Sequence, residues 1–177
     1  MEERRILNHT EIESLIETAS KSIYKDIKDI NKFAIVGLQT RGVELASRMK
    51  RKIEALSGVQ IKSGVLDITF HRDDLATRGI LPVIKETRIE FDITDMIILL
   101  VDDVIFTGRT SKAALESIMA YGRPRAVRYF VLVDRGNREL PIQPDYCGYR
   151  IKTDIDDKVR VKLAEVDAGS DEVLIYR

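Results

Sequence analysis

The run Met96-Ile97-Ile98-Leu99-Leu100-Val101, followed at once by Asp102-Asp103, constrains this chain more than any other feature. It is far short of the ~20 residues that cross a bilayer and too uniformly apolar for a strand with one wet face, so it reads as a strand buried on both sides of a sheet. Such a strand needs helices on both faces, and the flanking sequence supplies them. Ile12, Leu15, Ile16, Ala19, Ile23 and Ile27 recur mostly every three or four residues, which predicts an amphipathic helix over 11–28, capped by Asn8 or Thr10. Phe33-Ala34-Ile35-Val36, ended by Gly37, is a second strand, and Val43, Leu45, Ala46, Met49, Ile53 and Leu56 mark a second helix. Residues 65–70 alternate as a strand would, 71–86 are polar and aperiodic and read as a mobile loop, and 111–121 form a helix that ends before Gly122 and Pro124. A further strand spans 127–133, Gly and Pro punctuate 134–148, and strands are expected at about 158–166 and 172–176. Strands alternating with helices predict an α/β chain with a mainly parallel sheet, in one domain over 1–177. Ligands of such sheets bind at the carboxyl ends of the strands.

Composition removes several function classes. The 177 residues, 44% of them hydrophobic, suit one domain with its own core and exclude a disordered chain. Lys plus Arg total 29 and Asp plus Glu total 29, so no net charge draws the whole molecule to nucleic acid, although a local basic face is still allowed. The N-terminus lacks the basic stretch and apolar block of a secretory signal. A single cysteine, Cys147, forbids an internal disulfide, so a reducing cytoplasm is the expected compartment, with no membrane partner.

The chemistry is concentrated between Ile98 and Thr110. A buried strand runs into two carboxylates at what is expected to be a solvent-facing strand end, and Thr107-Gly108-Arg109-Thr110 then opens a helix. Backbone N–H groups at a helix start, the positive end of its dipole and two threonine hydroxyls suit a phosphate monoester. Paired carboxylates suit sugar hydroxyls or a hydrated Mg²⁺ ion. An acidic pair alone more often just ends a strand, but the whole stretch describes a phosphorylated sugar. Gly37-Leu38-Gln39-Thr40-Arg41-Gly42 has Walker glycine spacing yet continues Val43-Glu44, without the lysine that γ-phosphate chemistry needs. It makes better sense as a small loop gripping pyrophosphate through Gln39, Thr40, Arg41 and Gly42, although a solvated arginine is the plainer reading of that tetrapeptide alone. No G-x-G-x-x-G occurs. His9 lies beside a helix cap, His71 pairs with no base or metal motif, and Cys147 lacks an activating neighbour, so none is given a catalytic role.

The stretch from Ile98 to Thr110 closely resembles the phosphoribosyl-pyrophosphate (PRPP) motif of type I phosphoribosyltransferases. Residues 66–75 resemble the flexible loop, residues 133–142 the hood, and residues 36–42 the pyrophosphate loop of the PyrR family, pyrimidine operon attenuation regulators that are also uracil phosphoribosyltransferases. The resemblance covers most of residues 7–177, with departures at Gln39, His71, Phe106 and Asn137 from the residues usual in that family. It implies the type I phosphoribosyltransferase fold with a hood at about 134–158 and a flexible loop at about 71–86. It also implies conversion of uracil and PRPP to UMP and pyrophosphate with Mg²⁺, bound at most indirectly through Asp102 and Asp103. In that scheme Asp102 and Asp103 hold the ribose hydroxyls. Val104, Phe106, Thr107, Gly108, Arg109 and Thr110 wrap the 5′-phosphate. Arg41 and Arg72 stabilise departing charge, and Asp134, Arg135 and Val161 form the base site. The resemblance further implies a homo-oligomer and a UMP-responsive interaction with pyrimidine-gene leader RNA. Against the latter, Glu11, Glu13 and Glu17, set against Lys21, Lys25 and Lys28, make the N-terminal half of the first helix acidic where family regulators tend to present Thr, Arg and His. A non-catalytic nucleotide sensor, or a purine or orotate phosphoribosyltransferase, would share the PRPP motif.

Overall fold

The computed structural model describes residues 2–69 and 86–177. Two sheets organise it. The larger consists of β2 (Phe33–Leu38), β3 (Lys62–Leu66), β4 (Ile97–Ile105), β5 (Ala126–Asp134) and β6 (Tyr146–Arg150) in the order β3-β2-β4-β5-β6, with every neighbouring pair parallel. The smaller is antiparallel and joins β1 (Glu3–Asn8) to β8 (Glu172–Tyr176) and β7 (Lys158–Lys162).

Period-two alternation assigns the faces of the large sheet. Leu99 and Val101 of β4 pack in one cluster with Ile12, Ile16 and Ile23 of α1 (His9–Asp26) and Leu45, Met49 and Ile53 of α2 (Arg41–Ser57). Ile98 and Leu100 pack in a second cluster with Ala113, Ala114 and Ile118 of α3 (Arg109–Met119). The continuous apolar run therefore has the two-sided burial expected of a central parallel strand. Asn8 settles the alternative left open for α1. Its side chain accepts from the Glu11 N–H while the Glu11 carboxylate accepts from the Asn8 N–H, a reciprocal cap of the kind worth about 1 kcal/mol.

Several boundaries differ from the sequence reading. The third strand is Lys62–Leu66, not 65–70, because Asp67 turns the chain: its carboxylate accepts from the Thr69 N–H and hydroxyl. The expected strand at 158–166 stops at Lys162, where the Val166 and Asp167 N–H groups fold back onto the Leu163 carbonyl. Strands β1 and β6 have no counterpart in the reading at all. The expected loop at 71–86, with His71 and Arg72, lies outside the described residues apart from Glu86.

Candidate functional site

The carboxyl ends of β2, β4 and β5 carry the candidate residues. Strand β4 continues through the acidic pair to Ile105, so Asp102 and Asp103 sit inside the strand rather than after it. Asp102 is only 6% exposed, which corrects the expectation of a solvent-facing strand end. Pairing with β2 ends at Val101. Beyond it, the N–H of Asp103 donates to the Asp102 carboxylate and the N–H of Val104 to that of Asp103, each at 2.9 Å. Tyr129 donates from its hydroxyl to Asp102 at 3.3 Å, and the Ser111 hydroxyl of α3 lies 3.2 Å from Tyr129.

Burial, reinforced by the neighbouring Asp103 charge, pushes the Asp102 carboxyl well above the usual carboxylate range. Burial also raises Asp103, but the hydrogen bond from Asp102 and the charge of Arg41 oppose it. Of the two, Asp102 is the carboxyl that burial and its neighbour's charge push up further. Two adjacent carboxyls in this condition, one buried and one half-buried, suit hydroxyl donors or a cation, either of which would favour the ionised form.

The Gln39–Thr40–Arg41–Gly42 segment ends β2 and begins α2, and the Gln39–Thr40 peptide is cis. A Cβ on Gly42 would fall onto the Val101 carbonyl oxygen, so only glycine lets the first turn of α2 rest against the strand beside the acidic pair. Arg41 is held side-on by Asp167, with Nε at 3.0 Å and Nη2 at 2.6 Å from its two oxygens. That hydrogen bond raises the already high guanidinium pKa, and Asp103 adds to the effect through space.

On the other flank, Gly108 takes a φ of 90° and opens α3, whose first-turn N–H groups have no carbonyl within the helix to bind. The Arg109 N–H reaches the Thr107 hydroxyl at 3.3 Å, and Thr110 follows in that first turn. The segment after β5 is laced onto this turn. The Arg135 N–H donates to the Ile105 carbonyl, and the Glu139 and Leu140 N–H groups donate to that of Thr107. Arg138 donates to the Phe106 carbonyl at 2.8 Å and pairs with Asp134 at 2.8 Å, while Arg109 pairs with Glu139. The Arg135 guanidinium stacks 3.8 Å from the Phe106 ring centroid and donates to the Thr153 hydroxyl and the Asp154 carbonyl. Val161 is buried on β7, in the cluster against which Val104 packs.

The structure thus brings together Asp102, Asp103, Gln39–Gly42 and Val104–Thr110, with Asp134 and Arg135 alongside. Arg72 lies outside the described residues. Sequence reasoning missed Asp167, Arg138 and Tyr129. Arg138 lies in the hood-like segment 133–142 and Tyr129 in the strand expected at 127–133, but nothing in their spacing announces a contact with Phe106 or Asp102. No group of three or more His, Cys, Asp or Glu side chains converges to hold a metal among the described residues. The acidic pair therefore fits a hydrated ion met through one or two carboxylates, not an all-protein cage. Among the described residues no helix is long and apolar enough to cross a membrane.

Comparison with known proteins agrees with this geometry. The phosphoribosyl transferase domain family matches residues 3–168. The chain is 43% identical over 171 residues to the bifunctional protein PyrR of Deinococcus radiodurans, covering 97% of this chain and 93% of that protein. It is 44% identical over 171 residues to the bifunctional protein PyrR of Thermus thermophilus, with 97% and 94% covered. Among solved structures, a hypoxanthine-guanine phosphoribosyltransferase from Bacillus anthracis superposes with a TM-score of 0.75 at 15% identity, covering 98% of each chain, a likeness of fold alone. A hypoxanthine phosphoribosyltransferase of Trypanosoma cruzi gives 0.72 at 16% identity, with 98% and 96% covered. With a parallel sheet carrying an acidic pair beside a Thr-Gly-Arg-Thr helix start, and relatives this similar over nearly its whole length, the chain belongs to the phosphoribosyl transferase domain family and, within it, to the PyrR proteins.

Proposed function

We propose that this chain is a uracil phosphoribosyltransferase that converts uracil and PRPP to UMP and pyrophosphate. The observation that carries the reading is the adjacent pair Asp102–Asp103 on β4, set between the Gln39–Gly42 segment that leads into α2 and the Thr107–Thr110 turn that opens α3. PRPP likewise carries one sugar between two phosphate-bearing ends, which matches that order of elements. Asp102 and Asp103 accept from the ribose 2′- and 3′-hydroxyls, and the N–H groups that open α3 hold the 5′-phosphate. In the reaction the C1′–oxygen bond to pyrophosphate breaks and the uracil N1–C1′ bond forms, with loss of the N1 proton. Charge gathers on pyrophosphate, where Arg41 supplies a fixed, permanently charged donor of the kind worth ~3–4 kcal/mol in a transition state. Mg²⁺, when present, would screen the diphosphate charge. The base site for uracil in this reading is Asp134, Arg135 and Val161, and the contact of Arg135 with the Phe106 ring supports it by setting a flat surface beside the acidic pair's strand. The test is formation of UMP from labelled uracil and PRPP beside hypoxanthine, guanine and orotate controls. Steady uracil turnover supports the reading, and turnover of another base, or none, refutes it.

The bifunctional name of the relatives favours a second activity, UMP-responsive binding to pyrimidine-gene leader RNA. In support, Lys158 and Arg160 stand exposed on β7 beside Tyr176, at a shallow cavity of about 480 Å³ that Arg135 also lines. Against α1 as the contact, Glu13 and Glu17 are already committed to Arg48, Lys21 and Lys52. Binding to the organism's own leader RNA should weaken steeply with salt and tighten with UMP. Equal binding to scrambled RNA would remove this activity and leave the enzyme.

A further inference from the structure

The segment after β7 carries three acids that reach back to α2. Arg48, buried in α2, pairs with Glu165 through Nε and Nη2 and with Asp171 through Nη1 and Nη2. Two helical turns earlier on the same helix, Arg41 pairs with Asp167. The first contact is enough to fix the segment to the helix. The second holds a residue of the proposed pyrophosphate loop, and it uses both oxygens of the carboxylate.

Asp167 is immobilised twice. Its N–H donates to the Leu163 carbonyl at 2.7 Å, and its Oδ2 accepts from the Leu163 N–H at 3.0 Å. The same carboxylate takes the Nε and Nη2 edge of Arg41. A guanidinium is a planar fork of five donors. Once one edge is taken, the Nη1 donors, which bind nothing among the described residues, face away from Asp167. Arg41 is also within electrostatic reach of Asp103. The uncommitted donors therefore lie on the edge of Arg41 opposite Asp167, in a residue of the pyrophosphate loop that feels the Asp103 charge.

We propose that Asp167 is a positioning residue: it grips one edge of the Arg41 guanidinium and so aims the remaining donors at the diphosphate end of the substrate. This rests on the reading above that Arg41 faces pyrophosphate. A free arginine side chain must lose much of its rotamer freedom to bind a phosphate, and here that ordering is complete before the ligand arrives. The carboxylate does not touch the diphosphate. It acts through Arg41.

The experiment measures calorimetric binding of inorganic pyrophosphate with Mg²⁺, and separately of UMP, to the native chain, Asp167→Asn, Arg41→Ala and the double variant. Asp167→Asn keeps shape and an acceptor but removes the charge, and Arg48 still holds the segment, so its Tm should stay close to native. Pyrophosphate affinity should fall about tenfold in Asp167→Asn, at least as far in Arg41→Ala, and no further in the double variant, because residues that act through one another are not additive. UMP affinity should be unchanged in Asp167→Asn, since the UMP phosphate belongs to the Thr107–Thr110 turn. Native pyrophosphate affinity in Asp167→Asn, full additivity in the double variant, or equal loss of UMP and pyrophosphate binding would each overturn the proposal. Should Asp167→Asn fail to fold, Asp167→Glu, which retains the charge but displaces it by one methylene, gives the same readouts. Uracil turnover does not enter them. Its absence alongside Asp167-dependent pyrophosphate binding would refute the uracil reading and leave the positioning role standing.

Discussion

Asp102→Asn and Asp103→Asn are each expected to lower UMP formation by at least about tenfold, because each replaces a carboxyl that binding of the ribose hydroxyls would favour in its ionised form with an amide that offers one neutral acceptor. Their effects on the fold should differ from those of ordinary core substitutions. A carboxyl whose pKa is raised on folding contributes its stability below the ordinary carboxylate range, and that contribution is lost as pH rises through the folded value. Asp102 is in that condition. An asparagine there escapes the loss and can still accept from the Asp103 N–H and the Tyr129 hydroxyl. The Asp102→Asn chain should therefore be at least as stable as the native one at pH 7, with an advantage that shrinks on acidification. Thermal unfolding across pH, beside a turnover assay, checks both halves. Near-native turnover in either variant would remove the pair from ribose binding.

Arg48→Ala should be the most damaging change to the fold, costing about 3–5 kcal/mol in denaturant unfolding at neutral pH. It would strand Asp171, whose side chain has no exposure, along with the partly exposed Glu165 and Glu13. Burial alone would raise the Asp171 carboxyl, but hydrogen bonds from Arg48, the Ala164 N–H and His9 outweigh it and hold the pKa down to about 2. Stability from such a depressed carboxyl is present above the ordinary carboxylate range and is lost as pH falls through the folded value. The gap between native and Arg48→Ala chains should consequently narrow as pH drops from about 5 towards 2. A gap that stayed constant over that range would remove Asp171 from the account.

What could be read from the sequence followed from how local each signal was. Strand β4 and the amphipathic helices announce themselves because their burial is written into consecutive residues or a helical period. The acidic pair and the Thr-Gly-Arg-Thr turn were legible because the chemistry of a phosphate cradle occupies one short stretch. Strand β1 begins Glu3-Arg4-Arg5, and only its distant pairing with β8 makes it a strand. Gly148 reads as punctuation, yet it lies inside β6, where a Cβ would come within 2.7 Å of the Leu132 carbonyl oxygen, so the glycine marks a close approach between strands. Asp167 and Asp171 stand in a polar run that looks like any solvated loop, and their partners lie 126 and 123 residues away. No window along the chain contains both members of either pair.

The pairing of β1 with β8 also bears on how the chain is made. On the ribosome β1 is synthesised before every strand of the large sheet, but the neighbour that would satisfy its backbone starts only at Glu172. The parallel core can assemble while β1 still waits, and Glu2 and Arg177 can exchange their backbone hydrogen bonds only once residue 177 has been made. Closure of the small sheet is thus a late, long-range event of the kind that slows folding. A nascent chain paused before residue 172 would present β1 as an unpaired edge, open to adventitious strand addition.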